Sequence, residues 1–207
     1  MRLVLSMSSP SMSVPVLLVA LIVGGLAAGC SSDPDDRAQA ATPPDTIQTA
    51  VEGRIEAINN MRESLAQTID TPNVNQETFQ RVCKPVGMRA KQLAQSTGWE
   101  VQQLAVKYRN PAHAPDAEAD SVHAVFARNP EQTRTWLRTV RNGTSGWRYL
   151  RRIDVQPSCL ACHGAKETRP DFVQQGYPQD RAYGFDPGDL RGLYAVFVAD
   201  SLATAAR

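Results

Sequence analysis

Two cysteines and a histidine within five positions place the strongest constraint on this chain of 207 residues. Cys159 and Cys162 are three positions apart and His163 follows directly, which makes the pattern C-x-x-C-H. Two thiols at this spacing can add to the two vinyl groups on one edge of a porphyrin, and the adjacent imidazole can then bind the iron axially. The pattern therefore predicts a domain built around one covalently attached c-type haem.

The N-terminus has the pattern of a bacterial export signal. Arg2 precedes an uncharged apolar run over residues 14–23, which is short for a membrane-spanning helix. Small residues follow and end at Cys30 in the order Leu-Ala-Ala-Gly-Cys, which resembles a lipobox. We expect residues 1–29 to be a lipoprotein signal peptide and Cys30 to be lipidated. The alternatives are a plain signal peptide cleaved near Ala28 and an uncleaved N-terminal anchor.

All three alternatives place the remainder of the chain outside the cytoplasm. Residues 30–45 are polar, contain proline and show no periodicity, which is typical of a flexible tether between lipid and domain. The domain itself is predicted over residues 46–207. Ser31 and Ser32 carry no acidic retention signal, so we expect a periplasm-facing lipoprotein with the outer membrane favoured over the inner.

Composition and cysteine use exclude several other classes. The net charge of +1 excludes a nucleic-acid binder driven by phosphate neutralisation, and four cysteines are too few for a disulfide scaffold. A zinc site usually needs a second pair of ligands, which Cys30 and Cys83 do not form. A thioredoxin-type redox pair needs a βαβ context and does not require the histidine. Haem is favoured over zinc and a redox pair, because c-type haem is attached after export and this chain has the pattern of an export signal.

Apolar residues at helical spacing predict two N-terminal helices, over residues 46–69 and 76–96. Pro85 lies inside the second and predicts a kink or a restart next to Cys83, because proline lacks the backbone donor. A third, short helix is expected over residues 116–129.

Alternation with a period of two predicts the first three strands. A first strand is expected over residues 103–108, a hairpin from residues 136–140 and 147–155 around the turn-rich link 142–146, and a buried last strand over residues 192–198. Two helices followed by a small, mainly antiparallel sheet make an α+β domain.

Cys83 is left without a role once Cys30 is assigned to lipid and the C-x-x-C-H cysteines to haem. It is either a buried small hydrophobe on its helix or the second axial ligand of the iron. The competing ligands are Met88, His113, His123, a lysine and water. Methionine opposite histidine is the usual pair in electron carriers.

Haem also brings two propionate carboxylates, which arginine can bind through two hydrogen bonds. The candidate partners are Arg109, Arg148, Arg151 and Arg152. The competing interpretation is that the strand arginines only hydrate a solvent-facing surface.

The chain resembles the PAS-like c-type haem domains, which occur as exported proteins and as the sensor part of some bacterial receptors. The features that carry the resemblance are the lone Cys83, the stretch 107–111, the C-x-x-C-H-G box at 159–164, and the stretches 177–185 and 188–192. The resemblance implies a small antiparallel sheet flanked by helices, with haem at its edge and His163 and Cys83 as the axial pair. This sequence departs from the family at His113, where asparagine is more frequent.

Together these features predict a membrane-tethered haem protein that senses redox state or a small gas, or serves as an accessory redox protein with a signalling or redox partner. A thiolate ligand lowers the reduction potential, and its loss on reduction would open the iron to a diatomic gas. The alternative is a monohaem electron-transfer cytochrome of the cell envelope. A peroxidase ranks last, because nothing in the sequence places a distal acid–base group. A homodimer through the N-terminal helix is a further expectation.

Overall fold

The computed structural model describes residues 42–70 and 73–205. The predicted signal peptide, Cys30 and most of the tether lie outside these residues. The elements, in chain order, are helix α1 (Asp45–Ala66), helix α2 (Gln76–Thr97), strand β1 (Glu100–Leu104), helix α3 (Ala117–Arg128), strand β2 (Arg134–Arg141), strand β3 (Thr144–Asp154), helix α4 (Leu160–His163), helix α5 (Asp171–Gly176), strand β4 (Leu190–Ala199) and helix α6 (Asp200–Ala205). None of the helices in the described ranges is long and apolar enough to span a membrane.

The four strands of the described chain form one antiparallel sheet in the order β1-β4-β3-β2. Strand β4 pairs with β1, where Ala195 lies opposite Gln102, and with β3, where Val196 lies opposite Tyr149. Strands β2 and β3 form the predicted hairpin. Two N-terminal helices and a small antiparallel sheet confirm the α+β, PAS-like architecture.

Both faces of the central strands β3 and β4 are buried, and alternate residues of β4 point to opposite sides of the sheet. Tyr194, Val196 and Val198 pack against α1 and α2, whereas Leu193 and Ala195 pack against α3. The helical residues of the larger cluster are Ile47, Val51, Ile55, Ile58, Val86, Ala90 and Leu93. Phe126 and Val122 cover the other face from α3.

A kink or a restart was predicted next to Cys83, and the restart is wrong, because helix α2 is continuous through Pro85. A capping box starts the helix, with Asn75 and Thr78 each accepting from the other's backbone N–H, and Gly98 ends it at a φ of 73°. Proline costs the helix one hydrogen bond, while its fixed φ suits helical geometry. The buried face of α2 packs on the larger cluster, and Cys83 lies within one continuous helix.

Strand β1 was predicted over residues 103–108, but it lies earlier in the chain and ends at Leu104. The next backbone donor, Ala105 N, bonds to the carbonyl of His113 at 2.9 Å and leaves the sheet ladder. The hairpin turn is tighter than the predicted link. Asn142 and Gly143 have φ values of 49° and 77°, the left-handed pair that a two-residue turn requires.

A buried arginine ties the start of α3 to the sheet. The Arg148 side chain is 1% exposed and donates to Asp116 and Glu118, each at 2.7 Å. Asp116 also caps α3 by accepting from Ala119 N at 2.9 Å. The hydrogen bond from Arg148 holds the pKa of Asp116 well below its usual range.

The depressed pKa of Asp116 predicts a pH-dependent stability. A carboxyl with a lowered pKa stabilises the fold above its unfolded pKa, about 3.9, and this contribution is lost as pH falls further. Asp116→Asn keeps the helix cap and removes only the charge. We expect the free energy of unfolding to fall more steeply in the parent than in Asp116→Asn between about pH 5 and about pH 2.

Urea denaturation at a series of pH values measures this difference. Asp120→Asn is the matched control, because Asp120 is exposed on the same helix. Parallel pH profiles for the parent and Asp116→Asn would contradict the prediction.

Candidate functional site

An apolar cavity lies between the N-terminal helices, one end of the sheet and helix α4. Its empty volume, including the part open to solvent, is about 910 Å³. The apolar residues on its walls are Ala66, Ile69, Val82, Val86, Leu104, Ala105, Ile153 and Val155. An apolar cavity with a few polar groups is the usual form of a cofactor site.

The cavity brings together the sulfur and imidazole groups that the sequence singled out. Cys159 ends a short turn, and Cys162 and His163 belong to the single-turn helix α4 that follows. Cysteines three positions apart on one helical turn share a face. Cys83 lines the same cavity from α2, far away in the sequence.

His163 is held in one tautomer by the backbone. Its Nδ1 lies 2.7 Å from the carbonyl oxygen of Ala182, a contact that requires Nδ1 to carry the hydrogen and donate. Arg109 Nη2 lies farther from Nδ1, at 3.4 Å, and donates to the carbonyl of Cys162 at 2.7 Å. Burial and the nearby Arg191 and Arg109 hold the pKa of His163 well below its usual value. The neutral ring therefore keeps a lone pair on Nε2 for a metal ion.

A buried carboxylate supports the segment that orients His163. Asp180 accepts from Ala182 N at 2.8 Å and from Arg169 Nη1 at 2.7 Å, and its side chain is fully buried. Arg109 Nε lies 3.5 Å from the other side of the carboxylate. Asp180 thus fixes the Ala182 carbonyl that receives the His163 hydrogen.

Cys83 is an exposed residue that lines the cavity, and neighbouring protein atoms partly bury its thiol. This burial raises the pKa of the Cys83 thiol to about 11, and the neighbouring Cys162 adds to the effect. Burial also raises the pKa of Cys162. Both groups are therefore neutral thiols at neutral pH in this structure, and a soft metal would have to displace the proton to bind Cys83.

Residues 42–199 match the model of the Tll0287-like family. The chain belongs to this family. The crystal structure of the cyanobacterial heme-protein Tll0287 is 46% identical in sequence, with a TM-score of 0.67, and the match covers 76% of this chain and 97% of that chain. No curated protein matches the chain. The resemblance to PAS-like haem domains that the sequence predicted is confirmed.

The rival ligands lie elsewhere in this Tll0287-like chain. Met88 is 52% exposed on α2, and His113 is exposed with its Nδ1 2.8 Å from the carbonyl of Gln103. His123 lines a different cavity, and burial lowers its pKa. Of the protein ligands considered, Cys83 alone lines the cavity with His163 in the part of the chain that the structure describes.

The four arginines considered for propionates all have partners within the protein. Arg148 binds Asp116 and Glu118, Arg151 binds Glu56, Arg152 binds Asp154, and Arg109 binds the Cys162 carbonyl next to Asp180. None of the four lines the cavity.

Arg191 at the start of β4 is a cavity residue that the sequence analysis missed. It donates to the Lys107 carbonyl at 3.0 Å and has no carboxylate within ion-pair distance among the described residues. Burial, together with the like charge of Arg109, lowers its pKa to about 10. The sequence feature that could have indicated Arg191 is its position as a basic residue at the start of an otherwise apolar strand.

Directly bound zinc is not supported by the geometry. In residues 42–70 and 73–205, no three His, Cys, Asp or Glu side chains are close enough to hold one metal ion. Cys83 and the C-x-x-C-H group share a cavity without forming a compact ligand set, so a larger group has to lie between them if they act together.

Proposed function

We propose that this chain is a haem protein with one haem attached covalently through Cys159 and Cys162. The observation that carries the proposal is the apolar cavity that both cysteines line beside a neutral His163 with Nε2 unprotonated. This donor set fits a c-type haem, because the thiols can form thioethers and the imidazole can bind iron. The related Tll0287 is a heme-protein, which supports haem binding by this chain. When bound, the haem supplies a one-electron redox centre in an apolar environment.

We further propose Cys83 as the second axial ligand. It lines the cavity from a continuous helix, and the competing Met88, His113 and His123 do not line it. Two protein ligands would leave no open iron position for a substrate, which favours a redox role over catalysis, and gas sensing would require loss of Cys83 on reduction. A monohaem electron carrier remains the second candidate, supported by the same pair of ligands, and fast electron exchange with a soluble cytochrome would favour it.

The proposed setting is the cell envelope. The lipobox at Cys30 would attach the protein to a membrane, and the polar residues 30–45 would let the domain stand off its surface. In that setting the protein faces the periplasm, with the outer membrane favoured, and passes its output to a redox or signalling partner.

Covalent attachment is the direct test of the haem assignment. We expect the full-length protein, expressed in a host that matures c-type haem, to retain one haem per chain on a denaturing gel and in a pyridine haemochrome assay. Cys159→Ser with Cys162→Ser should lose this haem under denaturing conditions. Cys83→Ser is the matched control and should retain it, because Cys83 forms no thioether in the proposal. A parent protein without covalent haem would overturn the proposal.

A further inference from the structure

A second cavity lies beside the segment that supports His163, since Asp180 and Arg181 line it. Its empty volume, including the part open to solvent, is about 900 Å³. We call it the tyrosine–cation cavity, after the side chains that define it: Tyr108, Tyr177, Tyr183, Lys166, Arg169 and Arg181. Asp180 also lines it, and the Asp180 side chain is fully buried.

The cations of this cavity are held in place by aromatic rings. The Arg181 guanidinium lies 5.0 Å from the ring centre of Tyr108, and Arg169 and Lys166 lie 4.7 and 5.4 Å from that of Tyr183. The backbone N–H of Arg181 also donates to the Tyr108 carbonyl at 2.8 Å. Stacking of this kind holds the cations in one arrangement before a ligand binds. It therefore lowers the entropic cost of ordering their side chains on binding.

The positive charge of the cavity exceeds its negative charge. Among the described lining residues Asp180 is the only carboxylate, and Arg169 and Arg109 already contact it. Lys166 and Arg181 make no ion pair within the described part of the chain. Asp180 already pairs with Arg169, so the exposed Lys166 and Arg181 are left without a counter-charge among the described residues, and an anion between them would reduce their repulsion.

We propose that the tyrosine–cation cavity binds a small oxyanion, either a carboxylate or a phosphate. Lys166 and Arg181 supply charge-assisted hydrogen bonds, and the tyrosine hydroxyls around them can donate further ones. The rings of Tyr108 and Tyr183 already stack with cations, so the cavity suits a compact anion better than an aromatic ligand.

The cavity is connected to the axial histidine, and this part of the inference rests on the proposed haem function. Arg169 lines the cavity and donates to Asp180, which accepts from Ala182 N, and the Ala182 carbonyl accepts from His163 Nδ1. An added negative charge here stabilises oxidised iron relative to reduced iron. Because linkage is reciprocal, an anion that binds the oxidised protein about threefold more tightly lowers the potential by about 28 mV, at 59 mV per tenfold.

Calorimetry on the full-length haem-loaded protein tests the binding site. Inorganic phosphate and succinate are titrated separately at constant ionic strength, which distinguishes the two sources of oxyanion. We expect saturable binding of at least one of them, weakened by about tenfold or more in Lys166→Gln with Arg181→Gln. Arg89→Gln is the control, since Arg89 is exposed on α2 and outside the cavity. Absence of saturable binding, or equal binding by the double variant, would overturn the site.

A redox titration with and without the bound anion tests the connection to His163. The parent potential should fall by about 28 mV and that of the double variant should stay constant. An unchanged parent potential at saturating anion would overturn the connection while leaving the site. The haem content is measured first on the same samples: a protein without haem refutes the proposed function, and calorimetry still decides whether the cavity binds an anion.

Discussion

Replacing Cys83 by serine is expected to change the ferric absorption and EPR spectra and to raise the midpoint potential by on the order of 100 mV, within the range of about 0.8 V that axial ligands control. A thiolate donates charge to iron and stabilises the oxidised state, whereas a serine hydroxyl is a weak neutral ligand. The parent should show a low-spin, thiolate-type ferric signal that Cys83→Ser lacks. Covalent haem content should be the same in both proteins.

Met88→Leu is the matched control for this experiment. Met88 lies on the same helix as Cys83, but it is 52% exposed and does not line the cavity. Its replacement should leave the spectra and the potential unchanged. If instead Cys83→Ser retains the parent spectrum, Cys83 only packs against the cavity and another group completes the iron coordination.

Asp180→Asn is expected to lower the free energy of unfolding of the haem-loaded protein by about 3 kcal/mol, because removing one partner of a buried ion pair leaves the others uncompensated. The side chain of Asp180 is fully buried, and those of Arg169 and Arg109 are only 10% and 12% exposed. Asparagine has nearly the same shape and still accepts from Ala182 N, so the loss reports on the charge. Urea denaturation followed by circular dichroism measures it.

Asp186→Asn serves as the control for the loss of one acidic residue in the same loop. Asp186 is exposed, and within the described residues its side chain makes no hydrogen bond. We expect its variant to unfold within about 0.5 kcal/mol of the parent. Equal stability of Asp180→Asn and Asp186→Asn would show that Asp180 does not stabilise the segment beneath His163.

The secondary structure was largely predictable where one local pattern dominates. The helices α1 and α3, the hairpin and strand β4 follow their apolar periodicity closely. Tertiary contacts outweighed the local pattern at two points. Strand β1 ends at Leu104 since Ala105 bonds to His113, and α2 continues through Pro85 since its apolar face is packed on the core.

The residues of the candidate site were likewise predictable only in part. Cys159, Cys162 and His163 are recognisable because their chemistry depends on spacing along one helical turn. The supporting groups were not recognisable, because Asp180 and Ala182 act through contacts with His163 and Arg109. Arg191 was missed for the same reason, since its importance comes from the cavity it lines.

By itself, the sequence determined the haem-type cysteine–histidine pattern, the order of helices and strands, and a single cysteine in need of a role. Only the tertiary structure decided that Cys83, and none of Met88, His113 or His123, lines the cavity with His163. The physical reason is the separation along the chain over which each kind of interaction acts. Spacing and periodicity act between near neighbours in the chain, whereas a cavity wall is assembled from segments that meet only when helices α1 and α2 pack against the sheet.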